Sequence, residues 1–177
     1  MWHSRGMDLS VHPAAERDAD AVARIYIESW NDGLGDLVGM RMFDSEVIAR
    51  WVRDLGAGWP RWWVAERKDE IVGFVGVGPS RDPIQSGLGE LDTIAVAPSR
   101  WRTGVGRSLM AVALDALAEN FRAAILWTVA GYERGHRFYQ AMGWNPDGGT
   151  RAEGREVSFR HHLEGRKSTP MFRMPAG

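Results

Sequence analysis

A Gly-x-Gly pair, Gly104 and Gly106, follows an alternating apolar run (Leu91, Ile94, Val96) that stops at Ala97-Pro98, and it opens an amphipathic helix. The first turn of a helix leaves N–H groups unpaired and carries a partial positive charge. Glycines there remove the side chains that would hold an anion away from the backbone. Arg100, Arg102 and Arg107 surround the pair, which a turn serving only to redirect the chain would not require. The stretch therefore reads as a cradle for phosphate. A dinucleotide fingerprint would need a third glycine where Leu109 stands, and a P-loop would need a Gly-Lys pair, which the chain lacks.

The elements that must position this turn follow from periodicity. Leu9 and Val11 alternate in a short first strand, Met7 to His12, expected near a sheet edge. Ala14 to Trp30 reads as a helix broken by Asn31-Asp32-Gly33-Leu34-Gly35, and Asp44 to Leu55 as a second. Trp62 to Ala65 and Ile71 to Val77 form a hairpin across the charged residues 66–70. Pro79 to Gly87 is a polar loop into the strand that precedes the glycine turn. The helix after that turn carries a broad apolar face of Val105, Leu109, Val112, Ala116 and Met110, Leu114, Leu117, Phe121. Ala124 to Val129 is an apolar strand, and strand-helix-strand makes it parallel to the one before. Glu133 to Ala141 is a short helix stopped by Gly143, Asn145 to Gly154 a loop, and Val157 to His161 a last strand.

Two signatures in this order resemble those of the GNAT superfamily of N-acetyltransferases. One is the glycine turn, usually R/Q-x-x-G-x-G/A in that superfamily, with Trp101 here at the first position. The other is Tyr132 to Trp144, similar to N-x-x-A-x-x-F-Y-x-x-x-G-F/W. Phe138, Tyr139, Gly143 and Trp144 match it, while Tyr132 replaces the Asn and Gly135 the Ala. The resemblance implies a mixed, mainly antiparallel α/β sheet with helices on both faces and a central parallel strand pair that splays apart. It implies acetyl-CoA as co-substrate, with the pantetheine arm on the backbone of Ile94, Ala95 and Val96. The pyrophosphate would lie on the N–H groups of Arg102, Thr103, Gly104, Val105, Gly106, Arg107 and Ser108, with Tyr132 at the cofactor. Tyr139 would lie near the sulfur, where a phenol can protonate the departing thiolate, and Glu90 would be general base. Asp92, two residues on, could substitute or share a water. An alkyl ammonium with a pKa near about 10 is deprotonated in roughly one molecule in a thousand at pH 7, so a base is needed.

Composition narrows the partners. The 177 residues favour one domain, taken as 7–163 between an extension, 1–6, and a flexible tail, 164–177; a 44% hydrophobic share can fill its core. A net charge of -1 argues against nucleic acid or an anionic membrane surface. The absence of cysteine removes disulfides and thiolate chemistry, and no apolar run is long enough to span a bilayer, so a cytoplasmic setting is expected. The five histidines are scattered, and no metal is expected. Trp59, Trp62 and Trp63 could suggest an aromatic cage, yet alternation puts Trp62 and Trp63 on opposite faces, and core packing is the expectation. The acceptor, a small-molecule or peptide amine, would be framed by Trp30 to Phe43, Pro79 to Gly87 and Asn145 to Arg155. Monomer and homodimer are both open. So is a CoA-binding regulatory module without catalysis, to which the Trp101 and Tyr132 departures point.

Overall fold

Seven segments form one sheet: β1 (Leu9–Pro13), β2 (Arg61–Arg67), β3 (Glu70–Pro79), β4 (Gly89–Val96), β5 (Ala123–Val129), β6 (Asn145–Arg151) and β7 (Glu156–His162). Their order is β1-β2-β3-β4-β5-β7-β6, antiparallel throughout except for β4 beside β5. The computed structural model describes residues 9–81 and 87–164. The extension 1–6, Met7 and Asp8 of the expected first strand, residues 82–86 of the Pro79 to Gly87 loop, and the tail from Gly165, with Met171, Phe172 and Met174, lie outside the described residues.

Each face of the sheet is covered by a helix pair. On one side lie α3 (Val105–Ala118) and α4 (Glu133–Ala141). Val105, Leu109, Met110, Ala113, Ala116 and Leu117 are buried at helical spacing and share a core with Val75, Leu91, Leu126 and Phe159. On the other lie α1 (Ala19–Val38) and α2 (Ser45–Gly56). There Trp51 of α2 is 1% exposed and meets Tyr26 at 5.5 Å and Trp62 and Phe74 each at 5.0 Å, all edge-on. Trp62 is thus a core residue, and Trp63 packs into the opposite core. The Asp44 carboxylate caps α2 by accepting the Val47 N–H at 3.0 Å.

Two elements differ from the sequence expectation. The first helix does not stop at Trp30 but runs to Val38. Gly33 and Gly35 are not breakers here; they admit close neighbours, since a Cβ on Gly33 would stand 2.9 Å from the Tyr132 hydroxyl and one on Gly35 would press on Met40. Asn145 to Arg151, expected as loop, is the edge strand β6. Its Pro, Asp and two glycines have poor strand propensity, but the antiparallel ladder with β7 and the Asp147 carboxylate hold it. That carboxylate accepts from Ser158 Oγ–H, from Gly149 N–H at 3.0 Å and from Arg160 Nε–H at 3.2 Å.

Burial pushes the Asp147 carboxyl up, but the Ser158, Gly149 and Arg160 donors outweigh it and hold the group below its usual range. A depressed folded pKa contributes stability that is present above the unfolded value of about 3.9 and is lost as pH falls through the folded one. Asp147→Asn should therefore be less stable than the parent at neutral pH, with the difference shrinking below about pH 4. Urea midpoints at the two pH values measure this. A difference that persists undiminished in acid would remove the carboxylate from the account.

Candidate active site

Parallel pairing between β4 and β5 covers only Gly89 with Ala124 and Glu90 with Ile125. Beyond that the strands part. The cause lies in β4: the register against β3 runs from Gly76 with Thr93 to Val77 with Leu91 and skips Asp92. A residue inserted in this way adds local twist and turns the strand off its neighbour. Ile94 to Val96 thus leave β5 across a cleft, which belongs to a cavity of about 540 Å³ reaching from the glycine turn to α1.

At one end of the cavity Gly104 caps α3 with φ 89, a left-handed conformation that only glycine adopts without strain, and a Cβ there would meet nothing within 4 Å. A Cβ on Gly106 would come within 3.3 Å of the Phe138 ring, so this glycine sets how closely α3 approaches α4. Ser108 N–H already bonds the Gly104 carbonyl at 3.1 Å. Helix geometry leaves the N–H groups of Val105, Gly106 and Arg107 without a partner in their own helix. Val105 has its side chain in the core, and Thr103 Oγ–H donates to the Arg100 carbonyl at 2.7 Å, bracing the turn. Arg102 has φ 63, and its side chain and that of Arg107 line the cavity.

The departures from the superfamily motifs have structural explanations. Trp101 donates its indole N–H to the Val96 carbonyl at 2.8 Å, tying the turn to the end of β4, and the Arg134 guanidinium lies 4.1 Å above its ring. Tyr132 and Gly135 are two halves of one exchange: a Cβ on Gly135 would overlap the Tyr132 ring, so the larger side chain at 132 occupies the room given up at 135. Gly135→Ala should then destabilise the protein, although Ala is the better helix former by about 1 kcal/mol. In a Tyr132→Asn background the same change should become neutral or stabilising. Urea unfolding of the four variants should give a coupling on the order of 1 kcal/mol. Equal effects in both backgrounds would dissolve the pairing.

Tyr139 lines the cavity, its ring 5.6 Å from Phe138 and 6.0 Å from Phe159. Burial pushes its phenol well above the ordinary value, and neighbouring Tyr132 adds to the shift. The enclosure thus favours the protonated, donor form of the hydroxyl. Tyr132 is raised by burial as well, with Arg134 opposing. Glu90 and Asp92 both face Arg81. The Glu90 carboxylate accepts Arg81 N–H at 3.1 Å, and Asp92 pairs with the Arg81 guanidinium and accepts Thr93 Oγ–H at 3.0 Å. Asp92 lines the cavity; Glu90 is 7% exposed and lies outside the lining.

Arg81 and Glu156 carried no mark in the sequence that separated them from surface residues, and Trp127 read only as part of an apolar strand. Arg134 alone could have been suspected, from its place inside the second motif. Among the described residues no group of three or more His, Asp or Glu is placed to hold a metal, and no helix is long and apolar enough to cross a membrane.

The seven-stranded sheet thus opens between its one parallel pair beside a glycine-capped helix N-terminus. The profile of the Acetyltransferase (GNAT) family matches residues 19–144, and the chain belongs to that family. It is 24% identical over 126 residues to the uncharacterized N-acetyltransferase YuaI of Bacillus subtilis, covering 68% of this chain and 72% of that one. Its fold is similar to that of the PaiA N-acetyltransferase from Thermoplasma acidophilum, solved in complex with coenzyme A (TM-score 0.69, 14% identity, 88% of this chain and 99% of that one). An acetyltransferase from Thermus thermophilus is similar at TM-score 0.70, with 18% identity over 89% of this chain and 98% of that one.

Proposed function

We propose that the protein transfers the acetyl group of acetyl-CoA directly to a primary amine. The observation that carries this is the juxtaposition of the β4–β5 gap with the Gly104 cap of α3 in one continuous cavity. The gap suits a thin pantetheine arm along Ile94 to Val96, and the uncapped N–H groups with Arg102 and Arg107 suit a pyrophosphate. The Val96 carbonyl already accepts one hydrogen bond, from Trp101. In the transfer the amine nitrogen bonds to the acetyl carbon while the carbon–sulfur bond breaks, and its electron pair leaves with sulfur. Before the attack the ammonium gives one proton to a carboxylate of β4; after it the nitrogen sheds a second, which balances the proton delivered to sulfur and restores the donor. Position supports that role for Asp92, which lines the cavity, with Glu90 behind it; both are held by Arg81. Tyr139 donates its hydroxyl proton toward the sulfur; the enclosure that raises the phenol also disfavours a bare thiolate, so the two remain matched.

Calorimetric titration with CoA, beside a thiol-release assay with acetyl-CoA and mixed amines, tests this reading. Saturable CoA binding together with acetylated product is expected. Absence of CoA binding would sink the proposal, and binding without turnover on a broad panel would leave a CoA-responsive module in its place.

A further inference from the structure

We infer that the acceptor is a small monoamine carried on a flat aromatic body, and not a polycation; this rests on the transfer reading above. The phosphate end of the cavity is occupied by arginines. Trp30 and Leu34 of α1 and Trp127 of β5 contribute apolar surface to the same lining. Both indoles are held in place. Trp30 donates its N–H to the Gly39 carbonyl at 3.0 Å, and the Arg41 guanidinium lies 3.4 Å from its ring centre. Asn31 fixes Arg41 in turn, accepting its backbone N–H at 2.7 Å and donating to its carbonyl at 3.0 Å. Trp127 carries the Arg151 guanidinium at 4.5 Å. Rigid aromatic walls present a large apolar contact at little entropic cost and match a planar ligand.

Charge decides against the alternatives. Among the described residues, the carboxylates that line the cavity are Asp92 and Glu156, and each already has an arginine, Arg81 and Arg151 respectively. The lining arginines are Arg100, Arg102, Arg107 and Arg134. A polyamine or aminoglycoside carries several ammonium groups, each needing an unpaired carboxylate to offset its desolvation. Among the described residues the lining has none to offer. A single amine, entering beside Asp92, needs to lose only one proton there. A peptide N-terminus brings backbone amides that need partners, and the Trp30 N–H is already given to the Gly39 carbonyl.

The test compares 2-phenylethylamine and tryptamine with spermidine, kanamycin and trialanine, following thiol release and product mass with acetyl-CoA as donor. The arylalkylamines should have kcat/KM at least about tenfold above the others, and Trp30→Ala should raise their KM about tenfold with CoA affinity unchanged. Leu34→Asn, which leaves the Trp30 anchor in place, should raise KM in the same direction if Trp30→Ala does not fold. A preference for spermidine, kanamycin or trialanine would overturn the acceptor class while leaving transfer intact. If no amine is acetylated although CoA binds, the transfer reading fails, and tryptophan fluorescence of the CoA-loaded protein still decides the class. Saturable 2-phenylethylamine binding that Trp30→Ala abolishes would uphold it; tighter spermidine binding, or no saturable amine binding, would overturn it.

Discussion

Tyr139→Phe is expected to slow acetyl transfer by about 10²-fold to 10⁴-fold, the range for a positioned general acid, while CoA affinity and fold stay in place. The substitution keeps the ring, and with it the contact to Phe159 that seats α4 on β7. Only the hydroxyl is lost. A thiolate with a pKa near about 8.5 in water leaves tolerably there, but inside an enclosed cavity its charge is poorly solvated, so a donor at the sulfur is worth more. The pH dependence gives a second readout. Burial raises the Tyr139 phenol, so its ionisation adds no alkaline limb, and the variant should be slower by a similar factor across about pH 6 to 10. Steady-state rates with one confirmed acceptor measure both effects. A Tyr139→Phe enzyme as fast as its parent would assign protonation of the sulfur to water.

Gly104→Val should weaken CoA binding by ten- to a hundredfold, about 1.4–2.7 kcal/mol. Two effects act together. At φ 89 a β-branched residue is strained, which loosens the turn between Trp101 and α3. The space beyond a Cβ at this position is open, so the branched side chain would stand where the pyrophosphate is proposed to meet backbone. Calorimetry gives the affinity and circular dichroism the fold. An unchanged dissociation constant in a folded Gly104→Val protein would remove the cradle from this turn.

Much of the frame was legible along the chain because it rests on local physics. The glycine turn announces a helix start, the apolar period gives α3, Gly143 stops α4 as a left-handed residue at φ 88, and strand-helix-strand fixes β4 and β5 as parallel. The GNAT resemblance was carried by the same stretches, from the turn at Gly104 to Tyr139 and Trp144. Local signals misled where tertiary contacts override them. Gly33 and Gly35 read as breakers, yet Tyr132 and Met40 use the room they leave and α1 continues. Asn145 to Arg151 reads as loop, yet β7 supplies a ladder and the donors around Asp147 hold it. Which carboxylate reaches the cavity was likewise beyond the period of two, since the residue skipped at Asp92 breaks that period where the question is decided. Trp101 and Tyr132 look like losses in the motif, and only the fold shows the first replaced by an indole bond to Val96 and the second balanced at Gly135. The same holds for Arg134 and Glu156, which come to the cavity from separate elements, and for Arg81, which meets Glu90 and Asp92. Backbone conformation is set by neighbours in sequence and can be read there; the pairing of distant side chains depends on how sheet and helices twist together, and only the folded chain determines it.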